Sequence, residues 1–286
     1  MTRIRNGIQA NFVIVIASLV GLAGFLYPFL LPAVSRTDDR GAHAADAPLL
    51  FALVTVFCLI AIAVELSEHG TIGGGSPAKV VALLGVLVAT DATLRLAPSF
   101  LGASPIFFLI ILAGAAFGST FGFQMGALTM LVSAFLTGGL GPWLPYEMLG
   151  AGWVGMSAGW LPRDGSFRAR LAVLAAFATL WGLLYGALLN LYFWPYAAPG
   201  IDQPGNLYWT PAMGLAETVG NYTRFYITTS LAYDLFRAAG NAVLIIALGG
   251  PTLRLLDRFR SRFSWEPWEE METTNRSRPT SLVRSR

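Results

Sequence analysis

The sequence is short of charge. Asp, Glu, Lys and Arg make up 12% of its 286 residues, about half the quarter usual in a soluble domain. That excludes a soluble enzyme, and the length of the apolar blocks excludes a disordered chain. There is one cysteine, Cys58, inside an apolar run, so neither a disulfide nor a thiolate zinc framework can form within one chain. The only histidines are His43 and His69, too few for a multi-histidine metal site, and no His-Glu-x-x-His occurs. Gly-x-Ser-x-Gly is missing, and so is Gly-x-x-x-x-Gly-Lys-[Ser/Thr]. Gly73-Gly74-Gly75-Ser76 lacks the lysine that a P-loop requires. No catalytic residue, metal site, cofactor or nucleic-acid partner is expected, and transport would need energy from another chain or an ion gradient.

What is present is apolar. The residues AVILMFWYC reach 55%, mean hydropathy is +0.60, and the apolar blocks run for about 17 to 25 residues, enough to span a bilayer core. Lipid leaves helices or closed barrels as the spanning structures, and the alternating ten-residue strands of a barrel are absent. The expectation is an all-α polytopic membrane protein of about eight helices, near 10–33, 48–66, 78–97, 104–118, 119–137, 146–161, 169–194 and 222–250. Gly118-Ser-Thr-Phe-Gly122 supplies the turn that divides the fourth span from the fifth.

Basic residues set the orientation. Arg3, Arg5, Lys79, Arg163, Arg168, Arg170 and the arginine-rich tail from about 251 fall on one side, while the opposite loops hold Arg36 and Arg40. This places both termini in the cytoplasm of a multi-pass cell-membrane protein. Arg3, Arg5 and Ala42-His43-Ala44 resemble a signal peptide with its cleavage site, but the apolar stretch is long for a signal core and favours an uncleaved anchor. The tail, with Glu266, Glu269, Glu270 and Glu272 between basic groups, reads as a stop-transfer segment touching anionic lipid or as a docking segment for a partner, and is expected to be disordered over 273–286.

Polar groups inside spans need partners. Asp91 and Arg95 are four apart and can pair along one helix face, as a structural ion pair or a ligand contact. Asp234 and Arg237, three apart in the last span, form either a buried structural pair or a site. Asn190 and Asn241 add buried amides. Small residues recur every four positions at Gly114, Gly118, Gly122 and Gly126, and every three or four at Ala78, Ala82, Gly85 and Ala89, the spacing that lets helices approach closely in lipid. Each stripe serves either internal packing or another membrane subunit.

Two loops assigned to the outer side concentrate aromatics. Gly138–Glu147 presents Trp143, Tyr146 and Glu147, and the 195–221 segment follows Tyr192 and Trp194 and adds Tyr208, Trp209 and Asn221. Such residues form either an interfacial belt or the aromatic wall of a pocket with a few placed polar groups.

From Lys79 to Leu161 the residues become specific. A span ends Asp91-Ala-Thr-Leu-Arg-Leu-Ala-Pro98. Then follow Ser104-Pro-Ile-Phe-Phe-Leu-Ile-Ile-Leu-Ala-Gly-Ala-Ala-Phe-Gly118, Phe121-Gly-Phe-Gln-Met-Gly-Ala-Leu-Thr129 and Gly139-Leu-Gly-Pro-Trp-Leu-Pro-Tyr-Glu-Met-Leu-Gly-Ala-Gly-Trp-Val-Gly155. This resembles the substrate-binding S component of an energy-coupling factor (ECF) vitamin transporter, in the cobalamin-type subgroup, with Gly-Pro-Trp-x-Pro-Tyr-x-Met as its most telling element. The resemblance implies a six-helix core over 78–250, preceded by two extra helices within 1–77 and followed by the tail 251–286. It implies a vitamin ligand taken from outside and delivered by toppling on a transmembrane T component driven by two cytoplasmic ATPases. It also implies a docking stripe on the first core helix, here Ala78, Ala82, Gly85 and Ala89, and a ligand site formed by the outer loops. The site residues expected are Asp91, Arg95, Trp143, Tyr146, Glu147, Trp153, Asn190, Tyr192, Trp194, Trp209, Asn221 and Arg224. The alternative is a non-transport scaffold or assembly subunit.

Overall fold

The computed structural model describes residues 2–30, 47–67, 77–96, 104–196, 207–210 and 213–262. Arg36, Arg40, the Ala42-His43-Ala44 segment, the loop 98–103 and the tail beyond 262 lie outside these. Among the described residues every regular element is a helix. They are α1 (Thr2–Leu30), α2 (Ala47–Ser67), α3 (Pro77–Leu94), α4 (Ile106–Phe117), α5 (Ser119–Thr137), α6 (Leu144–Ala158), α7 (Phe167–Phe193), a 3₁₀ turn (Trp194–Tyr196), α8 (Leu215–Thr229) and α9 (Leu231–Arg262).

Local chemistry sets the boundaries. Pro77 opens α3, and a proline stands in the first turn of α6, where its missing N–H would lack a helical partner anyway. Ser166 caps α7, its hydroxyl accepting from the Ala169 N–H at 3.2 Å. Gly138 ends α5 in the left-handed region, φ 68°. Between α4 and α5 the chain reverses on Gly118 alone, at φ 108°, a conformation that favours glycine. The fourth and fifth spans are therefore separate helices.

Helix α4 is not a full span. Its 12 residues are all buried and reach only about 18 Å at 1.5 Å per residue. It is the centre of the bundle, in contact with α3, α5, α6, α7 and α9. Near its C-terminus two cations reach one carbonyl: Arg163 Nε, from the loop, donates to Ala115 O at 3.0 Å, and Arg170 of α7 to the same oxygen at 3.4 Å, cations placed against a helix C-terminus. Burial and the nearby charges of Arg260 and Arg170 hold the Arg163 guanidinium below its ordinary pKa. Arg170 also grips Asp257 of α9 with two hydrogen bonds, at 2.7 and 3.3 Å, so α9 continues as helix to Arg262, past the limit of 250 expected from hydropathy.

The glycine ladder packs inward. Gly114 and Gly122 lie on the backbone of Gly155, Gly126 on that of Ala151, and Gly159 on that of Ser119, with no room for a Cβ at any of them. This backbone-to-backbone approach of α4 and α5 to α6 needs residues without side chains, and it removes the ladder as a candidate docking surface. The stripe on α3 is the opposite case. Val80, Leu84 and Val88 face the core, whereas Ala78, Ala82, Gly85 and Ala89 are exposed and Gly85 has open space beside it.

Among the described residues three helices are long and apolar enough to cross a membrane: Ser119–Thr137, Phe167–Tyr196 and Leu231–Ser261, with shorter apolar helices at Ile14–Leu30, Ala47–Ile60 and Ile106–Phe117. Large apolar side chains such as Leu19, Leu49, Val86, Leu180 and Ile246 point outward. A surface of this kind belongs in lipid rather than water. The protein is an all-α polytopic membrane protein. Helix α8 lies between α7 and α9 and ends at Thr229, so the span expected over 222–250 is not one helix: it breaks at Ser230, with its first residues in α8 and the rest in α9.

Candidate binding site

At the end of the bundle opposite the arginine cluster, α3, α5, α6, α7 and α8 present polar and aromatic side chains to one another. Arg95 lies at the end of α3. It donates to Glu147 Oε2 of α6 at 3.2 Å and to Ser133 Oγ of α5 at 3.0 Å, and approaches Met130 Sδ at 3.4 Å. The expected pairing of Arg95 with Asp91 is therefore not made. Asp91 is completely buried, with the Thr129 hydroxyl beside it and no cation paired to it among the described residues. The physical reason is competition. Glu147 sits at the mouth, where one guanidinium can bridge three helices, whereas Asp91 is a turn deeper.

Next to this pair lies an aromatic wall in two parts, one at Tyr146 and one at Trp194. Tyr146 packs at a tilt against Tyr192 with centroids 4.8 Å apart, and Trp194 meets Tyr222 edge-on at 5.1 Å and Phe225 at a tilt at 6.3 Å. Trp194 Nε1 donates to Leu207 O at 2.9 Å, fastening the 3₁₀ turn to the returning chain. Trp153 sits about two turns below Tyr146 on α6 and is half-buried. The expected residues Tyr146, Tyr192, Trp194 and Trp209 thus gather at this end of the bundle, with Trp153 deeper on α6.

Trp143 does not join them. It is 44% exposed, donates to Gly139 O at 3.1 Å and lies over Gly141 of its own loop. Its departure from the expected wall follows from this local bond, which holds the indole on the loop. On the same flank a cavity of about 370 Å³ opens between Ala47, Pro48 and Phe51 of α2 and Leu140, Pro142 and Pro145. Its lining is apolar and it is separate from the aromatic wall.

The remaining expected residues form supports. Asn221, buried on α8, donates to Met213 Sδ at 3.3 Å and accepts from Arg224 at 3.3 Å. Asn190 of α7 donates to Ser230 Oγ at 2.8 Å, pinning the break between α8 and α9. Deeper in the same seam, Arg237 pairs with Asp234 and also reaches Gly182 O at 3.4 Å and the Tyr185 ring at 5.6 Å. Gly186 leaves the space that the Asp234 carboxylate fills. Asn241 donates to Ala178 O at 3.3 Å. These bonds join α7 to α8 and α9.

Sequence reasoning missed the contribution of α1. Phe25 packs against Tyr146 at 4.8 Å and Trp153 at 5.8 Å, and Phe29 against Trp194 at 5.9 Å and Trp209 at 5.4 Å. Ser18 Oγ accepts from Trp153 Nε1 at 2.9 Å, and the hydroxyls of Tyr27 and Tyr196 lie 3.3 Å apart. A signal was available in Phe25 and Phe29, four apart and so on one helix face.

Fold and site together define a multi-pass helical membrane protein with a cluster of aromatic side chains at one end. Residues 79–249 match the family described as ECF transporter, substrate-specific component. The chain belongs to that family, which binds substrate for a transporter and is not an enzyme family. No curated protein and no solved structure matches it. The match runs from α3 into α9 and leaves α1 and α2 outside.

Proposed function

We propose that this protein is the vitamin-capture subunit of an ECF-type importer, with a cobalamin-like compound as the favoured ligand. The observation that carries the reading is the family match over 79–249, whose substrate-binding role suits the aromatic wall. Ring faces of Tyr146, Tyr192, Trp194 and Trp209 suit a large planar solute, and Arg95 with Glu147 offers placed charge beside them. Asn221 and Arg224 border the same wall from α8. The ligand reaches this end from outside the cell, both termini being cytoplasmic.

Delivery follows by toppling on a T component driven by two ATPases. The exposed face Ala78, Ala82, Gly85 and Ala89 is the docking surface, since it permits close helix approach and is not consumed by internal packing. The test is co-purification of a T component and two ATPases with the tagged chain, followed by ATP-dependent vitamin uptake in proteoliposomes. A chain that captures neither vitamin nor T component is a scaffold subunit instead.

A further inference from the structure

Helix α1 covers the wall on which the substrate reading rests, and it does so with complementary chemistry. One face of α1 carries Ser18, Gly21, Phe25 and Phe29 toward the core, while Leu19, Leu22, Leu26 and Leu30 are exposed. Gly21 directly faces Leu149 of α6, and Gly24 faces Tyr146. Pro28 lies inside α1. Having no N–H, it cannot donate to the carbonyl four residues back, and that carbonyl, Gly24 O, accepts instead from Tyr146 OH at 3.4 Å. The same missing bond weakens the helix at this turn.

We propose that α1 is a stopper for the substrate site: its Phe25–Phe29 turn occupies the aromatic wall, and substrate binds as this turn withdraws. The family match begins at residue 79, so the wall belongs to the core and α1 is an addition laid over it. What α1 supplies also describes what must replace it. The ligand brings ring faces for Tyr146, Trp194 and Trp209, and acceptors for Tyr146 OH and Trp153 Nε1, the roles now taken by Phe25, Phe29, Gly24 O and Ser18 Oγ. A closed population lowers apparent affinity by the fraction of molecules that are open.

The inference rests on the capture reading, and its test separates the two. In the full chain carrying Cys58→Ala, the pair Gly21→Cys and Leu149→Cys is oxidised to lock α1 on α6, or left reduced. Both forms are incubated with an equimolar mixture of water-soluble vitamins, and retained compounds are identified by mass spectrometry. The reduced form should retain one vitamin, and the oxidised form about tenfold less or none, with recovery on reduction. Equal retention overturns the stopper and leaves capture intact. Retention by neither form overturns capture, and the stopper is then decided by acrylamide quenching of tryptophan fluorescence. Trp153 and Trp209 lie beneath α1, so quenching should fall on oxidation, and unchanged quenching overturns the stopper.

Discussion

Arg95 is bonded to Glu147 on a neighbouring helix, 3.2 Å away, and not to Asp91 one turn before it on its own helix. The guanidinium thus ties α3, which carries the exposed small-residue face, to α6, which carries Tyr146 and Trp153. If this tie is structural, Arg95→Gln and Glu147→Gln each lower the melting temperature in detergent, and the double variant loses less than their sum. A coupling of about 0.5–3 kcal/mol is expected for groups in direct contact. Additive losses would show that the two side chains act independently.

Small residues of the two stripes should behave in opposite ways. Gly155→Ala forces a methyl group onto the backbone of Gly122 and should cost about 1–3 kcal/mol, as overpacked sites do. Ala82→Leu or Gly85→Leu on the open face of α3 should leave thermal stability and vitamin binding unchanged while abolishing uptake. Normal uptake by both leucine variants would show that the T component docks elsewhere.

Asp234 and Arg237 sit in the seam between α7 and α9, where a lone charge costs roughly 2.5–3.5 kcal/mol on insertion scales. Asp234→Asn and Arg237→Gln should each destabilise the protein, and the double change should recover much of the loss. Vitamin affinity of the double variant should stay near that of the parent, because neither side chain reaches the aromatic wall. A stable double variant that fails to bind would move the pair into the ligand site.

Position within the wall predicts binding. Trp209→Ala and Tyr192→Ala should each weaken vitamin binding by about 1–3 kcal/mol if their rings stack on the ligand, borrowing the range known for bases on aromatic side chains. Trp143→Ala should leave affinity unchanged, since that indole lies on its own loop. Isothermal titration of the purified variants reads both outcomes, and the reverse order would place the site on the Gly138–Glu147 loop.

Hydropathy made most helices legible because lipid is the solvent and apolar length reports directly on it. It failed where the physics is different. Helix α4 is short and enclosed by protein, so its composition resembles a span although its length does not reach one. The second half of α8, with Arg224, reads as the start of the span 222–250, because hydropathy does not register the break at Ser230, which Asn190 holds from α7. The last turns of α9 are held by Arg170 and Asp257, a long-range pair that composition does not reveal. At the site, spacing permitted Asp91 and Arg95 to meet, but the choice of Glu147 depends on how α3 and α6 pack. The role of α1 was hidden for the same reason: Pro28 and Gly24 are visible in the sequence, but Tyr146, which exploits them, is 122 residues away.

The central claim is that this chain captures a vitamin on the wall formed by Tyr146, Tyr192, Trp194 and Trp209. The most direct measurement is mass spectrometry of small molecules that co-purify with the full chain, beside the Tyr192→Ala/Trp209→Ala variant prepared identically. The account predicts a single vitamin, near one per chain in the parent and strongly depleted in the variant. A parent that carries no vitamin, or a variant that carries as much as the parent, would contradict it.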